Sequence, residues 1–125
     1  MALTVFLCTP CKLGRLNFEL IERIEQLGFH VLCAVKDSPD DVPYDQMFQN
    51  NVALIQRSNL FVAVLKDYSK DLAAEVGMAY AWGKPRIGLD FEAHKTDVMC
   101  YYALERVVKP DELEETLVAY CRHMG

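Results

Sequence analysis

"LFVAVLKDYSKDLAAEVGMAYAWGKPRIGLD", residues 60–90, decides the fold. Leu60 to Leu65 is an unbroken apolar run of strand length, and Pro85 to Asp90 reads as a second strand. Between them lie the polar bridge "KDYSK" and a segment predicted as a helix over 71–82. Strands that do not alternate polar with apolar residues, joined through a helix, imply parallel pairing with both sheet faces covered. From Leu72 to Trp82 every residue except Glu75 is apolar or glycine. Such a helix is expected in an interior, which is a poor place for a carboxylate.

The same alternation extends outward. "LTVFLC" (3–8) is a buried strand ending at Thr9-Pro10, and "RLNFELIERIEQLG" (15–28) is a helix carrying Leu16, Leu20, Ile24 and Leu27 on one face, closed by Gly28. "FHVLCAV" (29–35) is a strand, "KDSPDDVP" (36–43) a loop, and "YDQMFQNNVALIQRS" (44–58) a helix with Met47, Val52 and Ile55 inward. Beyond Asp90, 96–103 reads as a short helix, "LERVVK" (104–109) as a fifth strand, and 110–123 as a closing helix with Pro110 at its first position. With right-handed crossovers this is an α/β fold, a single domain over 1–125. It has three α/β/α layers and a flavodoxin-like or Rossmann-like five-stranded, mainly parallel sheet. Ligands of such sheets bind at the carboxyl ends of the strands, which selects the loops 8–12, 37–44, 66–71 and 90–99.

Composition narrows the function. The chain has 125 residues, 52% of them hydrophobic and 25% charged, as expected of one globular domain. A net charge of −5 without a basic stripe argues against a nucleic-acid partner. No apolar stretch approaches the ~18 residues of a membrane span. The first residues, "MALTVFLCTP", lack the basic region of a signal peptide. Five cysteines, an odd number lying mostly in apolar runs, suit reduced thiols, so a cytoplasmic location is expected.

Cys8 and Cys11 form a C-x-x-C between strand and helix, where thioredoxin-like oxidoreductases hold theirs. That fold also needs an antiparallel hairpin and a proline facing the thiols. Here the corresponding region is the helix around Phe48, and Pro85 comes too late, so redox catalysis is set aside. No second cysteine pair or spaced histidine pair completes a zinc site, and neither a metal nor a cofactor is expected.

Glu75 is a poor capping-box partner. With Asp71 as N-cap it falls at the fourth helical position, and with Ser69 as N-cap the third is Leu72. A first-turn carboxylate gains ~0.3–1 kcal/mol from the helix dipole, or up to ~2 when partly buried. Desolvation costs several kcal/mol, so the dipole alone does not hold Glu75 ionised. An ionised carboxylate at a cleft suits attack on an electrophilic carbon such as the anomeric carbon of a sugar.

"RSNLFVAVLKDYSKDLAAEVGMAYAWGKPRIGL" resembles the nucleoside 2-deoxyribosyltransferase family and its relatives, the nucleotide N-glycosidases. "EVGMAYAWGKP" follows the family's Glu-[hydrophobic]-Gly-x-Ala…Gly-Lys-Pro pattern, and Glu75 takes the place of its nucleophile. The resemblance implies cleavage or transfer at the N-glycosidic bond of a (deoxy)nucleoside or nucleotide. It also implies a homodimer or larger homo-oligomer with shared sites. "VFLCTP" takes the place of the family's first strand and turn, with Pro10 matching. This puts Phe6, Cys8 and Pro10 beside the substrate. "DVM" (97–99) matches a segment that in the family reaches a neighbouring subunit's site, where Asp97 binds the sugar and Met99 lines the pocket.

This chain departs from the pattern at three places. Phe6 stands where the family commonly has a tyrosine. Asn51 stands where it often has an acid serving the base. A shortened loop leaves Asp71, with Asp67 as rival, in place of the family's loop aspartate. Glu75, Asp71 and Asn51 are thus the catalytic candidates, and Ser69 and Tyr68 join the rim. Lys12 and Arg15 are candidates for a 5′-phosphate. Tyr80 and Trp82 are read as core or dimer contacts. A TIR-like NAD glycohydrolase, with a similar strand-then-Glu-helix arrangement, and a non-catalytic nucleotide-binding module are the competing functions.

Overall fold

A computed structural model describes residues 3–124. Five strands form one sheet: β1 (Thr4–Cys8), β2 (His30–Leu32), β3 (Leu60–Leu65), β4 (Arg86–Asp90) and β5 (Arg106–Val108). Their order is β2-β1-β3-β4-β5, and every pairing is parallel, so the expected mainly parallel sheet is parallel throughout. This is the flavodoxin-like order, whose switch point lies between β1 and β3. The helices are α1 (Arg15–Glu25), α2 (Ala34–Asp37), α3 (Tyr44–Arg57), α4 (Lys70–Ala81), α5 (Val98–Tyr101) and α6 (Leu113–Met124).

Strand alternation sorts the core into two layers. Val5, Leu7, Val62 and Val64 pack with Leu20 and Ile24 of α1 and Leu113 and Leu117 of α6. Phe6, Cys8, Phe61 and Ala63 face the other way, onto Leu54 and Ile55 of α3 and Leu72, Val76 and Ala79 of α4. Cys8 therefore points into the layer that contains the Glu75 helix.

The segment 71–82 differs from its expectation. Its buried residues, Leu72, Val76 and Ala79, make a single stripe, while Tyr80 and Trp82 are 58% and 40% exposed and so are not core. Alanine and glycine make the segment apolar by type while leaving little side chain to bury. The helix also starts one residue early, with Ser69 as N-cap accepting from the Asp71 N–H, so Asp71 is not the cap. Its end follows the glycine rule. Gly83 takes φ +67°, and the N–H groups of Gly83 and Lys84 bond the carbonyls of Tyr80 and Ala79, a Schellman motif. The Lys84 ammonium then donates to the carbonyls of Gln56 and Ser58 at 2.7 and 2.8 Å, satisfying the end of α3.

Other details of the expected elements also differ. The second strand stops at Leu32 instead of residue 35, because the Asp37 carboxylate accepts the Cys33 N–H at 2.9 Å and starts the short α2. The first helix ends at Glu25, which turns Leu27 toward solvent. On α3, Ile55 and Leu54 are buried, whereas Met47 and Val52 are only partly so. No helix among the described residues is long and apolar enough to cross a membrane.

Candidate active site

A cavity of about 390 Å³ opens at the carboxyl end of β1, beside the loop that follows β3. That is the switch point, where neighbouring crossovers leave the sheet in opposite directions and a crevice remains. Its walls carry Phe6, Cys8, Pro10, Asn51, Asp67, Ser69, Asp71 and Glu75, so most of the sequence candidates converge there. Asp97 and Met99 do not. They line an adjacent opening of about 780 Å³ with Tyr68, and share with the first cavity only Ser69 and Asp71. Met99 is 85% exposed, and the Tyr68 hydroxyl donates to the Asp97 carboxylate. Burial and that carboxylate hold the Tyr68 phenol well above its ordinary value.

Glu75 sits partly buried at the cavity wall, on the turn of α4 after Asp71. The Cys8 thiol donates to its Oε1 at 3.1 Å. Desolvation raises the Glu75 carboxyl above the ordinary glutamate value. The thiol opposes that shift, and the Asp71 charge adds to it. Cys8 is pushed well up by burial and by the Glu75 carboxylate, so it stays a neutral thiol. The C-x-x-C is therefore split: Cys8 is buried against Glu75, whereas Cys11 is exposed in the 3₁₀ turn Cys11–Leu13, and both are free thiols.

The rest of the rim is held by the backbone and by one buried amide. Asn17 accepts from the Thr9 hydroxyl at 2.6 Å and donates to the Pro10 carbonyl at 2.9 Å, which pins the turn after β1. Asp67 adopts φ +48°, a left-handed conformation uncommon outside glycine, which turns the chain from β3 toward α4. Lys12 lines the cavity and Arg15 does not. Among the described residues no group of three His, Cys, Asp or Glu side chains stands together as a metal site.

Two polar atoms are buried without partners among the described residues, Ser38 Oγ and Asn51 Oδ1, and both residues line this cavity. Buried polar groups are nearly always hydrogen-bonded, so these two stand out as exceptions on residues of one cavity wall. Asn51 also borders a cleft of about 270 Å³ between α3 and α4, shared with Glu75 and Met78. Ser38, Asp40 and Asn17 are the residues sequence reasoning missed. Asn17 alone left a signal, a polar side chain on the apolar stripe of α1, where it is fully buried.

The profile of the nucleoside 2-deoxyribosyltransferase family matches residues 5–120. Among solved structures, the chain is similar to a 2-deoxyribosyltransferase from Bacillus psychrosaccharolyticus, with a TM-score of 0.70 and 18% identity over 89% of this chain and 90% of that one. It is also similar to the CMP N-glycosidase BcmB of Clostridium botulinum, with a TM-score of 0.65 and 23% identity over 94% and 98% of the two chains. A 2-desoxiribosyltransferase from Leishmania mexicana aligns with a TM-score of 0.56 and 16% identity over 70% and 63%. At these identities the structural likeness concerns the fold. A search of the curated proteins returned no match.

Proposed function

We propose a function from one premise: the chain belongs to the nucleoside 2-deoxyribosyltransferase family. Its class of activity is therefore transfer or hydrolysis at the N-glycosidic bond of a nucleoside or nucleotide. Our finer reading is that Glu75 is the nucleophile. A carboxylate oxygen attacks the anomeric carbon, the bond to the base breaks, and its electron pair leaves with the base, which takes up a proton. The resulting glycosyl ester is resolved by water or by a second base.

The observation that carries this reading is the position of Glu75. It is a partly desolvated carboxylate with no cationic partner among the described residues, open to the switch-point cavity. Asp71 and Asp67 line the same walls and suit the sugar hydroxyls as hydrogen-bond acceptors. Asn51 and Ser38, each with a buried polar atom that has no partner among the described residues, line the wall assigned to the base. An amide can hydrogen-bond a leaving base but cannot give it a proton. Bases that leave with little acid assistance are thus the preferred class in this reading.

The separation of Asp97 and Met99 from Glu75 fits a role in a partner copy's site, as part of the proposed homo-oligomer. A strictly monomeric protein in solution would remove that part of the reading.

The test is mass spectrometry after incubation with 2′-fluoro nucleosides, their 5′-monophosphates and NAD. A glycosyl adduct on Glu75 with a nucleoside or monophosphate supports the reading. Reaction only with NAD would favour the TIR-like alternative. No adduct and no turnover with any compound would favour a non-catalytic binding module.

A further inference from the structure

We infer that Cys8 is a positioning residue, a neutral thiol that holds Glu75 oriented toward the cavity through the Sγ–H to Oε1 hydrogen bond. The inference rests on the proposed role of Glu75 as nucleophile. It begins from the geometry of β1. Phe6 and Cys8 lie on the same face of that strand, but Phe6 is fully buried and stacked on Phe61, ring centroids 5.6 Å apart, and offers no donor. At the cavity end of that face the polar atom is Cys8 Sγ, 3.1 Å from Glu75 Oε1 across a sequence separation of 67 residues. A polar group this far into a core is tolerated when it is bonded, and the thiol's bond is to the carboxylate.

Cys8 acts as donor, because a thiolate here would be buried and beside a like charge. With Oε1 occupied by the thiol, Oε2 is the oxygen left free to attack. When the ester forms, Oε1 becomes its carbonyl oxygen and still accepts from the same sulfur, so no proton leaves Cys8 at any step. The other charged groups around Glu75 are Asp71 on its own helix and, around the cavity, Asp67, Asp40 and Lys12. From α3 the neighbours are Met47, Phe48, Asn51, Val52 and Ile55, none of them charged. None of these is hydrogen-bonded to the carboxylate, whereas Cys8 is.

Two measurements on the full chain test this. In protein labelled with ¹³C-glutamate, with the Glu75 carbon assigned by its loss in E75Q, the Glu75 titration midpoint should rise in C8A. In C8S it should stay at or below the wild-type value, since a hydroxyl is the stronger donor. An unchanged midpoint in C8A would overturn the inference, and a failure of C8S to restore it would do the same.

The second readout is the pH profile of 2′-fluoro-nucleoside adduct formation. Its acid limb should move to higher pH in C8A, with labelling about tenfold slower on that limb, the scale of one lost hydrogen bond to a charged group. A merely structural role would slow labelling equally at all pH values and leave the limb in place. If the midpoint shifts but no variant forms an adduct, the nucleophile reading fails and the positioning role fails with it. If adducts form but C8A leaves both midpoint and limb unmoved, only the role of Cys8 fails.

Discussion

Two glutamates on opposite layers of the sheet meet opposite fates. Glu114, on α6, receives Arg23 of α1 in a bidentate grip, Nε to Oε2 at 2.7 Å and Nη2 to Oε1 at 2.6 Å. Arg23 also donates to the Pro110 carbonyl, so the guanidinium ties two helices and a turn together. Hydrogen bonding to Arg23 holds the Glu114 carboxyl below its ordinary value. Glu75, on α4, has a thiol for a partner and an acid one turn away, and burial raises it. The α1/α6 layer gives its carboxylate a cation, whereas around the Glu75 cavity the carboxylate has only a thiol, and Ser38 Oγ and Asn51 Oδ1 have no partner among the described residues. Folding alone has no use for the second arrangement. Local misfits of this kind concentrate where a ligand completes the set.

The largest effect should separate the two glutamates by function. E75Q preserves shape and, in the proposed reading, removes the nucleophile. Turnover and adduct formation should fall on the order of 10³-fold or more, the scale expected when a nucleophile is lost. E114Q, on the far side of the sheet, should leave turnover within about twofold of wild type. A comparable loss from both would mean that activity tracks general stability, and the contrast would collapse.

Much of this contrast was legible in the sequence, and the unread parts have physical causes. The apolar runs at 3–8 and 60–65 specified a covered parallel sheet, and all its strands appear in that pairing. The oddness of Glu75 was visible because ten other residues between Leu72 and Trp82 are apolar or glycine. Its thiol partner was not, since no local pattern links positions 67 apart. The one-sidedness of α4 was hidden by small residues, which score as apolar whether covered or bare. The short α2 was hidden because "FHVLCAV" reads as one apolar strand running into a polar loop at Lys36, and one side-chain bond from Asp37 decides otherwise. Ser38 lies in a polar loop, where a serine draws no notice until its burial is seen.

The next effect is on stability, and its sign is unusual for a glutamate. Because the folded-state value of Glu75 is raised, folding favours the neutral form. The stability this provides is full below the ordinary value of 4.5 and is lost as pH rises through the higher folded value. At pH 7 the ionised wild-type side chain is therefore a burden that E75Q removes. The variant should melt about 2–5 °C higher, roughly 1 kcal/mol for a chain of this size. The gain should vanish on acidification toward the ordinary carboxylate range. A lower melting temperature for E75Q at pH 7 would mean that the cavity already satisfies the charge.

The smallest effect completes the contrast from the other layer. The Arg23 and Glu114 side chains are 33% and 39% exposed, so solvent screens their pair, and E114Q should lose only about 0.5–1 kcal/mol at pH 7 in low salt. Glu114 has a lowered folded-state value, so the pair's contribution is present above 4.5 and is lost as pH falls through the lower folded value. Both glutamine variants should thus converge on wild type in acid, but from opposite sides and in different windows. E75Q, the more stable variant, converges as pH falls to about 4.5, whereas E114Q, the less stable, begins to converge only there. Urea titrations of the three proteins between pH 7 and pH 3 read both windows at once. Added salt should shrink the E114Q difference and barely move that of E75Q, whose cause is desolvation and not a screened surface pair.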